Sequence, residues 1–288
     1  MAKLKNDAIK LEDMQEYLNS TSDFAFEMRV LKLLNANART QETTFGGLYQ
    51  DPNTNQTRQF DIRSRIRVHN DTVWLAIECK NLKDNFPLLI SGSKRKYRES
   101  VINAWQCEQG ALGNSFSISI DGHRITTQSL QPSQFYIAAS FVGRSCAQVG
   151  RLENGSNKIN KGTIESSDSE VYSKWSQALC SLHGLMQITL SDIKRQVIQQ
   201  KVTPHFFAFI PIVVVPDGML WIAEYSDNGE LLEAPKQVAN CSYLVNKQYA
   251  FPAMSCEYTV SHIEFMTFTG LMNFFGNKNP RANIFKKD

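Results

Sequence analysis

The sequence lacks the patterns that mark several large classes of protein. No apolar run approaches the roughly 20 residues that span a bilayer, and the opening segment, MAKLKNDAIKLEDMQ, contains no apolar signal region. We therefore expect a cytoplasmic protein with no membrane partner. The six cysteines form no CxxC pair and no zinc-binding spacing, which favours buried free thiols in a reducing compartment.

The chain also has little net charge and few of the common enzyme motifs. Its formal charge is only +3, so any attraction to nucleic acid must come from local patches rather than from overall basicity. No GxxxxGK[ST] or GxGxxG loop follows a predicted strand, and the GxSxG and HExxH motifs are missing. The five histidines are scattered and never adopt metal-ligand spacing, so a zinc hydrolase is not indicated.

What the sequence does contain is an alternating segment at residues 58–80, RQFDIRSRIRVHNDTVWLAIECK. The pattern predicts two antiparallel strands joined by a tight turn at residues 70–71. In that register Asp61 faces Lys80, with Glu78 on the same side and apolar residues on the other. Two carboxylates beside an ammonium group can hold a hard divalent cation. The alternative is an ordinary strand pair with a charged, solvent-exposed face.

A predicted helix carries a third acid. The segment FAFEMRVLKLLNA, residues 24–36, has helical periodicity, and Ser22 or Asp23 can cap its start. Glu27 lies in the middle of its apolar arc, where an ionised carboxylate is costly unless it is paired or coordinated. Glu27 therefore either forms a salt bridge with an arginine of the predicted hairpin or joins the metal site.

The remaining segments predict a single α/β domain over residues 1–288, with a mixed central sheet flanked by helices. The expected core covers about 20–143 and 170–226, with a small inserted hairpin at about 115–128 and a β-rich C-terminal extension at 227–288. We expect the most buried strands at 134–143 and 206–215, a hairpin formed by 206–215 and 219–226, and helices at about 94–112 and 169–200, the latter broken near Thr189.

A basic group marks the start of the helix predicted near residue 94. Cations are not favoured by the dipole at a helix N-terminus, which points to contact with phosphate. The alternative for this group, and for the arginines of the predicted hairpin, is a solvated face. The basic residues expected at a nucleic-acid interface are Arg63, Arg65, Lys83, Lys94, Arg95, Lys96 and Arg98.

A helix bearing Glu27, a strand with Asp61 and the triplet ECK at 78–80 together resemble the PD-(D/E)XK nuclease superfamily. The segments RQFDIR and VWLAIECKN are most similar to the branch of that superfamily that contains Mrr-type restriction endonucleases and Holliday-junction resolvases. The matching segment covers roughly residues 20–110. The proline that gives the signature its name is absent, and no QxxxY follows the lysine, which argues against the RecB-like branch.

The resemblance implies a restriction endonuclease-like fold and hydrolysis of DNA phosphodiester bonds with Mg²⁺ or Mn²⁺. It implies that Asp61, Glu78 and the backbone carbonyl of Cys79 hold the metal, that Lys80 orients or deprotonates the attacking water, and that Glu27 holds a metal-bound water or a second ion. Expected partners are duplex DNA, a second copy of the chain, and a motor or sensor protein in restriction or anti-phage defence. A catalytically silent DNA-binding or assembly module, or an RNA-cleaving member, remains an alternative.

Overall fold

The computed structural model describes residues 7–20, 22–68, 71–109, 118–120, 123–137, 139–151, 164–167, 169–198, 205–252 and 256–275. A large mixed sheet with helices on its faces dominates this part of the chain, in agreement with the expected α/β class. None of its helices combines the length and apolar character needed to cross a bilayer. The helices are α1 (Leu11–Ser20), α2 (Phe24–Asn35), α3 (Gln134–Ile137), α4 (Ser169–Ile198) and α5 (Phe268–Phe275).

The strands are numbered along the chain. They are β1 (Thr40–Phe45), β2 (Leu48–Gln50), β3 (Thr57–Gln59), β4 (Ile62–Val68), β5 (Asp71–Cys79), β6 (Leu88–Lys94), β7 (Ile102–Gln109), β8 (Ile118–Ile120), β9 (His123–Leu130), β10 (Phe141–Arg151), β11 (Ile164–Ser167), β12 (His205–Val215), β13 (Leu220–Tyr225), β14 (Lys236–Gln237), β15 (Asn240–Phe251) and β16 (Cys256–Thr267).

The main sheet places the C-terminal strands in its interior. Its order is β1-β4-β5-β12-β16-β15-β10-β6-β13-β14, while β7, β8, β9 and β11 attach beside this path and β2 pairs with β3. The strands β5, β12 and β16 run parallel to one another, and β4 lies antiparallel to β5. Residues 207–215 of β12 are all buried, as expected for a parallel strand covered on both faces.

Apolar residues fill the space on both faces of the sheet. On one face, Leu182 and Leu185 of α4 belong to a cluster with Trp105. On the other face, Val30 of α2 and Phe274 of α5 belong to a second cluster, which also contains the inward-facing apolar residues of β4 and β5. The side of β5 that the sequence suggested was solvent-exposed is therefore largely covered by α4.

The strands β4 and β5 pair antiparallel as predicted, but in a different register. Arg63 pairs with Ala76 rather than with Glu78, and Val68 pairs with Asp71. Of the turn predicted at residues 70–71, Asn70 lies outside the described part of the chain and Asp71 is the first residue of β5. Because the shift is two residues, an even number, every side chain remains on the face that the alternation predicted.

Two predictions of secondary structure between residues 94 and 143 are wrong. The expected helix at 94–112 is replaced by a short 3-10 turn, Tyr97–Glu99, and by β7, which pairs with both β12 and β9. The strand expected at 134–143 begins as the short helix α3, and β10 starts only at Phe141. In the first case pairing with two neighbouring strands overrides the weak local helical preference of the segment.

Further along, the predicted hairpin at 206–226 is also wrong. The chain turns at residues 216–218, where Gly218 has φ +81°, but β13 then pairs in parallel with β6 instead of folding back on β12. Helix α4 continues through Thr189, whose hydroxyl donates to the carbonyl of Leu185 at 2.9 Å, so the expected break does not occur. The inserted hairpin is present as β8 and β9.

Candidate active site

Two carboxylates meet where β4 begins and β5 ends. Asp61 immediately precedes β4, and Glu78 is the penultimate residue of β5. The backbone N–H of Asp61 donates to Glu78 Oε1 at 3.4 Å, and the backbone N–H of Cys79 donates to Asp61 Oδ2 at 2.8 Å. The carboxylate of Glu78 is completely buried. The structure thus brings together the two acids that the strand alternation placed on one face.

A lysine that the sequence did not suggest completes this pair. The ammonium group of Lys174, on α4, lies 2.8 Å from Asp61 Oδ2 and 3.6 Å from Glu78 Oε2. In the sequence Lys174 stands four residues after Glu170, a spacing typical of ion pairs on the surface of a helix. Only the packing of α4 against β5 turns it toward the acids, so no local pattern could have identified it.

Lys80 lies at the same end of β5 but contacts different acids. Its Nζ is 3.5 Å from Asp23 Oδ2 and 3.3 Å from Glu170 Oε2. Asp23 stands at the N-cap position of α2 without capping it; instead its Oδ1 accepts the backbone N–H of Asn81 at 2.7 Å. Lys80 is therefore held between the first turns of two helices, close to the acid pair but not ion-paired with it.

Glu27 faces this cluster from α2. Burial, followed by the negative charge of Asp61, raises the pKa of its carboxyl group to about 7, while the ammonium group of Lys174 opposes the shift. Among the described residues Glu27 forms no ion pair with an arginine of β4, because Arg63 and Arg65 contact other groups. Glu27 therefore lies with the acids of this cluster, and its part in a metal site stays a prediction.

The cluster has a surplus of negative charge. Burial, followed by the charge of Asp61, raises the pKa of Glu78 well above its ordinary value. Burial alone would lower the pKa of Lys174, but the charges of Asp61 and Glu78 raise it instead. When all groups are ionised, five carboxylates face two ammonium groups: Asp23, Glu27, Asp61, Glu78 and Glu170 against Lys80 and Lys174.

The donor set fits a hard divalent cation in part. Glu78 Oε2 is buried and accepts no hydrogen bond, and it lies beside the carboxylate of Asp61, so two oxygen ligands of the kind that Mg²⁺ prefers are adjacent. Over the described ranges, however, no three acidic, histidine or cysteine side chains converge as a ready-made cage. The two carboxylates could therefore hold one edge of an ion whose other ligands are backbone, water or phosphate oxygens.

Comparison with models of protein families, with curated proteins and with solved structures finds no match to this chain.

Arg63 does not lie on a nucleic-acid-facing surface, contrary to the expectation from sequence. Its side chain is buried, with Nε donating to Ser181 Oγ at 3.0 Å and Nη2 donating to the Ser181 carbonyl at 2.8 Å. The guanidinium group also stacks over the ring of Phe60, 4.1 Å from its centroid. Burial lowers the pKa of Arg63 to about 10. Arg63 thus joins α4 to β4.

Arg95 is buried as well, whereas its basic neighbours in the sequence are exposed. Its Nη1 lies 2.7 Å from His262 Nε2 and its Nε donates to the Ala139 carbonyl at 3.1 Å. Lys83 and the residues next to Arg95 are exposed. The basic residues at the end of β6 are not next to the acid pair, because four strands separate β6 from β5 in the sheet order. Arg65 is partly exposed and pairs with Glu42. The candidates that remain at the surface are Arg65, Lys83, Lys94, Lys96 and Arg98.

Proposed function

We propose that this protein is a metal-dependent endonuclease that hydrolyses phosphodiester bonds of DNA, with the PD-(D/E)XK arrangement as its active site. The observation that carries the proposal is the contact between Asp61 and the buried Glu78 at the ends of adjacent strands, with Lys80 and Lys174 close by. A buried carboxylate whose Oε2 accepts no hydrogen bond is costly. Such a cost is common where a group is kept for chemistry.

The residues divide into groups that hold a metal and groups that act on the phosphate. Asp61, Glu78 and the backbone carbonyl of Cys79 would hold Mg²⁺ or Mn²⁺, which when bound supplies charge neutralisation and activation of water. Lys80, fixed by Asp23 and Glu170, offers its ammonium group to the charge that develops on the phosphate. Glu27, with a pKa of about 7, can accept a proton on its carboxylate near neutral pH.

Lys174 has a second part in this proposal. In the metal-free protein its ammonium group offsets part of the negative charge of Asp61 and Glu78. With a divalent ion held by the same carboxylates, the ammonium group of Lys174 would be available to the phosphate, where a second cation would stabilise the transition state.

The wider setting follows from the resemblance of the Asp61–Lys80 segment to restriction endonucleases. We infer a cytoplasmic enzyme of restriction or anti-phage defence acting on duplex DNA. Cutting two antiparallel strands requires two active sites, which favours a homodimer. A motor or sensor protein would deliver the substrate.

A second candidate is a catalytically silent DNA-binding or assembly module. The observation that favours it is the ion pair between Lys174 and Asp61, because an internal cation can satisfy the acids permanently. An RNA-cleaving enzyme shares the geometry of the first candidate and differs only in substrate.

The deciding experiment is a cleavage panel with Mg²⁺, Mn²⁺ or EDTA on supercoiled, linear, branched and single-stranded DNA and on RNA. We expect metal-dependent cleavage of duplex DNA that falls by about 100-fold or more in Asp61→Asn, Glu78→Gln and Lys80→Met. The matched control is Glu233→Gln, a surface acid paired with Lys236, which should cleave normally.

The outcomes separate the candidates. Full cleavage by all three variants at matched folding would eliminate the proposed active site. Binding of DNA that ignores divalent ions, with no cleavage under any of them, would support the silent module. Cleavage confined to RNA would retain the mechanism and change the substrate.

A further inference from the structure

A cavity of about 360 Å³ lies beside α4, between the segment that follows β2 and strand β15. No residue of the acid cluster lines it. Its lining combines four aromatic rings with aliphatic residues and a few polar side chains. The lining residues that matter here are Asn53, Tyr172, Trp175, Tyr243, Lys247 and Tyr249.

The aromatic walls are held in place by contacts within the protein. Tyr172 packs edge-on against Trp175 with 4.7 Å between ring centroids, yet its side chain remains about half exposed. The hydroxyl of Tyr243 donates to the Arg144 carbonyl at 3.1 Å, and that of Tyr249 donates to the Leu179 carbonyl at 2.9 Å. Rings fixed in this way provide stacking surfaces at little cost in conformational entropy.

A positive charge stands at the edge of the cavity. The pairing of β15 with β16 shifts register between Leu244 and Lys247, and Asn246 within the shift has φ +48°. Such bulges redirect side chains. Lys247 is exposed, forms no ion pair with any described residue, and lies 6.0 Å from the ring centroid of Tyr249.

Helix geometry separates this cavity from the acid cluster. Glu170 and Lys174 lie four residues apart and share one flank of α4. Tyr172 and Ser176 are each two residues further along, about 200° around the helix at 3.6 residues per turn. The cavity is therefore a distinct site on the opposite flank of α4.

We propose that this cavity binds a nucleobase that carries a phosphate. Aromatic side chains stack on any base through its π face, and a neighbouring cation attracts the phosphate, a combination that recurs in proteins that bind single-stranded nucleic acid. The volume exceeds what one base needs, and the mixture of apolar walls with a few polar groups is typical of small-molecule sites. The base belongs either to a free nucleotide or to an unpaired residue of a strand.

The test is equilibrium binding by calorimetry in EDTA, where cleavage cannot occur. The probes are adenosine and thymidine monophosphates and a single-stranded oligonucleotide of about 8 nucleotides, a length within the range of known stacking sites. Relative to the wild-type protein, Tyr172→Ala and Lys247→Gln should each weaken binding by about tenfold, as expected for loss of one stacking or one charged contact. The controls are Tyr17→Ala on α1 and Lys194→Gln near the end of α4, both exposed.

Two results would support the site and identify the source of the base. Equal affinity for mononucleotide and oligonucleotide indicates a free nucleotide, whereas clearly tighter binding of the oligonucleotide indicates a strand. Failure of every probe to bind, or undiminished binding by both cavity variants, would overturn the proposal. Because neither metal nor cleavage is involved, Glu78→Gln should bind these probes normally, and a negative cleavage panel would leave this result untouched.

Discussion

The ammonium group of Lys174 lies 2.8 Å from Asp61 Oδ2, although the two residues are 113 positions apart in the chain. Asp61 lies between β3 and β4, whereas Lys174 is on α4, which precedes β12 in the chain. The contact therefore joins the start of β4 to the helix that connects β11 with β12. It also neutralises part of a carboxylate cluster that would otherwise carry a large excess of negative charge.

Lys174→Met should destabilise the metal-free protein by about 3 kcal/mol, because removing one partner of a buried ion pair leaves the other charge uncompensated. Urea unfolding in EDTA measures the loss. Addition of Mg²⁺ should then restore stability to a greater extent in this variant than in the wild-type protein.

The matched control is Lys194→Met, which removes an exposed lysine from the same helix. It should leave both the stability in EDTA and the response to Mg²⁺ unchanged. An unaltered unfolding midpoint in Lys174→Met would show that the contact with Asp61 carries no net stabilisation.

Glu78→Gln should leave the metal-free protein as stable as the wild type, or more stable by about 1 kcal/mol at pH 8. The reason is that the amide keeps the shape of the buried side chain and removes the cost of burying its charge. Stabilisation by Mg²⁺, read as a shift in the melting temperature, should disappear in this variant.

A useful comparison is Glu264→Gln on β16, where the replaced carboxylate is also buried and also accepts a hydrogen bond, from Ser242 at 3.0 Å, but belongs to a strand that β12 separates from β5. Its response to Mg²⁺ should match that of the wild-type protein. Retention of the Mg²⁺ effect in Glu78→Gln would remove Glu78 from the proposed metal site.

Glu27 should make the stability depend on pH in a defined window. Its pKa is about 7 in the folded protein against an ordinary value of 4.5, so the folded state binds more protons between these values. The stability that this group contributes is present below about pH 4.5 and is lost as the pH rises through 7. In EDTA, the stability of Glu27→Gln relative to wild type should therefore increase from pH 5 to pH 8 by about 1 kcal/mol, a figure reduced for partial solvent screening.

Glu12→Gln, an exposed acid on α1, serves as the control for this pH series. Its stability should run parallel to that of the wild-type protein across the same range. Parallel curves for Glu27→Gln would mean that Glu27 does not titrate in this window.

Arg63 and Lys83 should behave in opposite ways. Arg63→Ala removes buried hydrogen bonds to Ser181 and should cost about 3 kcal/mol of stability with no change in affinity for duplex DNA. Lys83→Ala should leave stability unchanged and, if Lys83 contacts a phosphate, reduce the salt dependence of binding by about one ion. Anisotropy titrations in EDTA at several salt concentrations distinguish the two variants. Weaker DNA binding by Arg63→Ala at unchanged stability would show instead that Arg63 contacts nucleic acid.

The parts of the site that sequence could predict are those fixed by local periodicity. Alternation along residues 61–80 placed Asp61 and Glu78 on one face, and the helical pattern of α2 turned Glu27 toward the interior. The register of β4 against β5 depends on a turn whose length the pattern does not define. The part of Lys174 in the site could not be predicted from the sequence, because the position of Lys174 depends on how α4 packs across the sheet.

The same limit explains the error at β7. Its residues carry no clear alternation, and their strand conformation depends on pairing with β12, a strand about 100 positions later in the chain. Basic residues near Arg95 were therefore placed on a helix that does not exist. Burial of Arg95 beside His262 likewise depends on the late strand β16.

The late position of α4 in the chain affects when the acid cluster can assemble during synthesis. A growing chain that has emerged only as far as β10 already contains every acid of the cluster except Glu170, but neither Lys174 nor the strand β12 that anchors the end of β5. At usual rates of about 5–20 residues per second, several seconds of synthesis separate Asp61 and Glu78 from Lys174. The cluster can therefore assemble with all of its charged groups only when translation is well advanced.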